Sequence, residues 1–193
     1  MGFGLILVGL ALLIGVEAGF GIVGYVLIFA GCRKLSRIHD DFTVCGILAL
    51  LNIPYSAVSA LTLFKVLPEG NLITGCLNVT HYIFSAAMFW YFCMRIRAIA
   101  MEGDDHKLAS SALRNGLMSV MYYLWTVAVL ILPFIRNTVM VGILALFKYI
   151  LIACGILFLL SCGAKITTPS QMAAEERARM KEQEKTVKKR KGE

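Results

Sequence analysis

Five helices crossing a membrane, with no sheet, are predicted for this all-α polytopic chain by three features. Of its 193 residues 59% are hydrophobic and only 16% charged, at a mean hydropathy of +0.76. Such a composition lies beyond that of a soluble domain and leaves little mass for one. The apolar residues gather into runs long enough for helices to cross a hydrocarbon core of about 30 Å. Lysine and arginine concentrate in alternate loops, as the positive-inside rule requires of a multi-pass protein. Transmembrane strands would be shorter and strictly alternating, which excludes a barrel.

The predicted spans are Phe3–Ala30, Phe42–Val66, Leu72–Met94, Gly116–Ile135 and Val139–Ala164. The first has no basic residue before it and is too long for a signal-peptide core, so it reads as a retained signal anchor. It carries Glu17 at its centre, and Ala11, Gly15 and Gly19 at four-residue spacing. Small residues so spaced let helix backbones approach closely, inside the bundle or against another subunit. The second run contains Pro54 just after Asn52, where a lost backbone hydrogen bond can bend a helix and open a polar pocket. Pro68-Glu69-Gly70-Asn71 is a turn, and the Asn78-Val79-Thr80 sequon falls too close to the membrane for ready glycosylation. Glu102 to His106 reads as a solvated turn without calcium-loop spacing. Arg136-Asn137-Thr138 makes a tight turn, so the fourth and fifth helices form a hairpin.

Arg33, Lys34 and Arg37 mark the first loop, Arg95, Arg97, Lys107 and Arg114 the third, and nine of the nineteen basic residues follow residue 164. The N-terminus is therefore expected outside or lumenal and the tail cytosolic. The chain divides into a transmembrane domain, residues 1–166, and a charged tail, residues 167–193, in which Gln171 to Lys189 has the composition of a polar helix. The net charge of +7 is unevenly spread, and the basic tail suits an anionic lipid surface; no aromatic–basic interleaving suggests nucleic acid. Lys189 and Lys191 stand at the third and fifth positions from the end, a pattern that resembles the dilysine retrieval signal of endoplasmic reticulum membrane proteins. The expected location is the endoplasmic reticulum or early secretory pathway, with the mitochondrial inner membrane as the alternative.

Counting helical rise from the outer ends puts four polar side chains at similar depth: Glu17, Asn52, His81 and Lys148. A carboxylate inside a bilayer needs a partner, and Lys148 is the expected one, with Tyr55, Tyr82 and Tyr149 extending the polar set. Three roles fit this layer. An ion pair can fix helix association, a polar cavity can bind a small ligand or lipid headgroup, and Glu17 with His81 can work as acid and base in a small lipid-modifying enzyme. No nucleophile motif, metal-ligand spacing or cofactor fingerprint accompanies them, so neither metal nor cofactor is expected. Of the six cysteines, Cys32, Cys93 and Cys162 fall near the cytosolic interface, where palmitoylation is a possible fate.

Gly24-Tyr25-Val26-Leu27-Ile28 is similar to the first-helix GNxLV region of rhodopsin-like receptors, Asn52 matches the place of their second-helix acid, and Met94-Arg95-Ile96-Arg97-Ala98-Ile99 resembles their DRYxAI sequence. Trp125 and Pro133 suit their fourth helix. Tyr25, Asn52 and Met94 replace the family's asparagine, aspartate and acid, and a sixth and seventh helix are missing. The resemblance implies a receptor-like protein with a ligand site between helices. The primary expectation is a non-enzymatic subunit or accessory factor of an endomembrane complex, its partners the lipid bilayer and other membrane subunits.

Overall fold

A computed structural model describes residues 2–13, 20–36, 42–63, 72–132 and 138–166. These form six α-helices and no strand: α1 (Gly2–Leu12), α2 (Gly21–Leu35), α3 (Phe42–Leu63), α4 (Leu72–Glu102), α5 (His106–Ile131) and α6 (Thr138–Lys165). Six helices replace the predicted five because the first apolar run is not one helix. It forms α1 and α2, which lie antiparallel. A Cβ built on Gly9 would stand 2.6 Å from the Gly24 carbonyl oxygen, and one on Gly31 would stand 2.8 Å from that of Gly2. The two glycine pairs sit one heptad apart on each helix, and only hydrogen at Cα permits the contact. Hydropathy does not show such a break, since both halves of the predicted run are strongly apolar. Ala11 is half-buried on α1, while Gly15 and Gly19 lie outside the described residues, so the close approach rests on a different set of glycines from the predicted stripe.

Each helix packs on its neighbours in sequence, and α6 returns to pack on α1, closing a ring of six. Gly155 and Gly163 of α6 face Leu10 and Phe3 of α1. At the other seam, Phe42 meets Phe92 with ring centroids 5.8 Å apart, and Gly116 abuts Cys93 and Trp90. Gly2 and the ends of α2, α4 and α6 thus gather at one end with the starts of α3 and α5. Arg33, Lys34, Arg95, Arg97, Lys107, Arg114 and Lys165 all belong to that end.

The α4–α5 corner shows why the chain turns there. Gly103 and Asp105 donate to the carbonyls of Ile99 and Ala100, closing α4, and Asp104 takes φ 58°. Asp tolerates this left-handed conformation better than most residues. Asp105 caps α5 by accepting from the Leu108 amide at 2.9 Å and also receives Lys165 from α6 at 2.6 Å. The Lys165 hydrogen bond, seconded by the Leu108 amide, holds the Asp105 carboxyl below its ordinary value.

Among the described residues two helices are long and apolar enough to cross a membrane, Gly75–Glu102 within α4 and Thr138–Lys165. Only 17% of the apolar window of the latter is buried, which sets α6 apart from a soluble core helix. Outward-facing residues include Val139, Leu146, Leu157 and Met121, whereas Asn52, Ser85, Ser56 and His81 face inward at 6% exposure or less. An apolar outer surface around an apolar core that also buries several polar side chains suits lipid rather than water. The tail, residues 167–193, with its predicted helix and the Lys189 and Lys191 signal, lies outside the described residues.

Candidate functional site

The site begins with Asn52 on α3. Its side-chain nitrogen donates to the Leu48 carbonyl one turn back, at 3.0 Å. That fixes the amide, so its oxygen faces α4 as an acceptor. His81 Nδ1 lies 2.7 Å from this oxygen and donates to it; Ser85 Oγ donates to it from 3.4 Å. His81 and Ser85, one turn apart on α4, therefore converge on one atom of α3. With its proton on Nδ1, His81 presents Nε2 as an acceptor.

Tyr25 of α2 completes the cluster. Its hydroxyl stands 3.1 Å from Ser85 Oγ and 3.4 Å from His81 Nε2. The Ser85 contact is the better hydrogen bond, leaving Nε2 with a donor at the edge of range. Tyr55 stacks on the imidazole with centroids 3.7 Å apart and planes 13° apart, and Tyr25 meets it edge-on at 5.7 Å. These rings clamp His81 so that its two nitrogens keep their directions.

The cluster opens onto a cavity of about 160 Å³ inside the ring. Tyr25, Tyr55 and His81 form one wall, Asn115 and Ser119 of α5 another, and Lys148 of α6 a third. On α5 the donors are spent within the helix. Asn115 donates to the Ser111 carbonyl at 2.9 Å, and Ser119 donates to the Asn115 carbonyl at 2.9 Å.

Of the four residues placed in the polar layer from sequence, the structure joins Asn52 to His81 directly and sets Lys148 on the wall of the same cavity. Glu17 lies outside the described residues. Tyr55 and Tyr82 line the cavity and meet the His81 ring, whereas Tyr149 is 57% exposed on the outer face. Tyr25, Ser85, Asn115 and Ser119 were not picked out in advance. Their signal was present in part: His81–Ser85 and Asn115–Ser119 are polar pairs at four-residue spacing inside apolar helices. Pro54 lies inside α3 two residues past Asn52 and denies the Leu50 carbonyl its helical donor, close to the cavity wall.

Cys32, Cys93 and Cys162 are buried at 3% exposure or less, in the seams of the helix ring rather than at an exposed edge. An acyl chain on any of them would have to displace core packing, which disfavours the palmitoylation expected from their depth. Among the described residues no group of three His, Cys, Asp or Glu side chains could hold a metal ion.

Compared with protein-family models, curated proteins and solved structures, the chain matches none.

Proposed function

We propose that the chain is a multi-pass membrane protein of receptor- or transporter-like kind, which binds a small ligand or lipid group in the polar layer between its helices. The observation that carries this reading is the aromatic-clamped His81–Asn52–Ser85–Tyr25 cluster facing a cavity. A bundle held together by packing alone fills such a space with side chains. An ionisable side chain buried inside a membrane bundle beside a cavity is by default a candidate binding site. This moves the emphasis from a complex subunit to a binder, and the test separates the two. Purified in lipid nanodiscs, the full chain should show ligand-induced thermal stabilisation from a small-molecule panel, lost in Asn52→Leu. A fixed protein partner with no such stabilisation would instead support the subunit role. Turnover of a lipid abolished by His81→Phe would support the enzyme.

The topology proposal changes with the α1–α2 hairpin. The eleven described residues of α1 give about 16 Å of helix, short of a full crossing. In our reading α3 to α6 cross the membrane and the hairpin enters from the basic end, which faces the cytosol. The N-terminus is then cytosolic, not lumenal. Protection of an N-terminal tag from protease in sealed microsomes would overturn this.

The Glu17–Lys148 pair remains part of the proposal. Residence in the endoplasmic reticulum through Lys189 and Lys191 also remains, and relocation of the Lys189→Ser/Lys191→Ser variant is its test.

A further inference from the structure

The chemistry of the cavity wall restricts what it can hold. Three of its polar atoms are acceptors whose own donors are already used or distant. His81 Nε2 has the Tyr25 hydroxyl at 3.4 Å, at the edge of hydrogen-bond range, and that hydroxyl lies closer to Ser85. Asn115 lines the cavity, buried, with its amide nitrogen engaged by the Ser111 carbonyl, which leaves its oxygen as the group able to receive a donor. Ser119 gives its proton to a backbone carbonyl and keeps lone pairs for another donor. Of the charged side chains among the described residues only Lys148 lines the cavity, and in the reading above Glu17 answers it, which leaves no net charge for an ionised guest. The volume matches that of dry cavities of about 150 Å³ that hold a benzene-sized molecule.

From these features, and resting on the ligand-binding reading above, we infer that the cavity takes a small, uncharged, largely apolar molecule bearing a hydroxyl, an alcohol or phenol, which donates its proton to His81 Nε2. The rest of the guest lies against the aromatic and aliphatic wall. Entry from the bilayer suits such a molecule, because it partitions into lipid before it reaches the site.

Three probes of similar size separate the terms: p-cresol, which donates; 4-methylanisole, which only accepts; and toluene, which does neither. Binding is read by thermal shift and by competition in nanodiscs holding the full chain. The expected result is that p-cresol binds about threefold to tenfold more tightly than either of the others, the effect of one net hydrogen bond. His81→Phe keeps a ring for Tyr55 to stack on and should abolish this preference while toluene still binds. Tyr25→Phe removes the competing donor and should widen the preference, a change that mere loss of structure would not produce. Equal binding of all three probes, or preference for 4-methylanisole, would overturn the assignment while leaving a binding cavity in place. No binding of any probe would overturn both the assignment and the reading beneath it.

Discussion

Asn52 ties α3 to α4, since its one oxygen receives both His81 and Ser85. Replacing it with leucine leaves the His81 Nδ1 proton buried without an acceptor. The expected loss is about 1–3 kcal/mol of stability in lipid or detergent, measured by chemical unfolding. Ser85→Ala removes longer contacts and should cost less than Asn52→Leu. Asn52 and His81 were legible as polar interruptions of apolar runs, and helical rise alone put them at one depth. Tyr25 was not legible as a partner, because its reach to Ser85 depends on α2 running antiparallel to α3 beside α4. At the basic end, Asp105 makes a different prediction. Its carboxyl sits below the ordinary 3.8 in the folded chain, so its contribution is present above that value and lost as pH falls through the lower folded one. Solvent screens the pair with Lys165, so the effect is small. Asp105→Asn should remove that part of the acid-side slope in a pH series of melting temperatures.

The helical hairpin of α1 and α2 is where sequence reading and structure part. A continuous apolar run of spanning length reads as one helix, and length with hydropathy carries no information about reversal. The information that did exist lay in glycine placement: Gly2 with Gly9, and Gly24 with Gly31, each one heptad apart. That pattern is recognisable only once antiparallel pairing is considered. Gly9→Ala drives a methyl against the Gly24 backbone carbonyl, which cannot rotate away as a side chain would. Its expected cost is about 1–3 kcal/mol, as for overpacking elsewhere. Gly4 has nothing within 4 Å of an added Cβ, and Gly4→Ala should be neutral or stabilise α1 by up to about 1 kcal/mol. Equal effects of the two substitutions on thermal unfolding would contradict the glycine-to-glycine contact. The other helices were legible because a proline- or glycine-bearing turn, or a charged loop, separates each pair. The predicted span starting at Gly116 nonetheless began late: α5 starts at His106, where the Asp105 cap outweighs the polar residues of its first turns.

At the scale of the molecule, closure of the ring by α6 on α1 turns scattered polar residues into the lining of one cavity. A layer of polar side chains at one depth was readable in advance. Its enclosure was not, because helix order around a ring depends on contacts between chain ends, which periodicity does not encode. The most direct test of a binding role is native mass spectrometry of the full chain released from lipid nanodiscs. It should be run beside Ser119→Leu, which fills the cavity from α5. The wild-type chain should emerge with one small bound molecule at fixed stoichiometry, and the variant without it. A wild-type chain that emerges bare, or a variant that keeps the same molecule, would contradict a ligand site inside the ring.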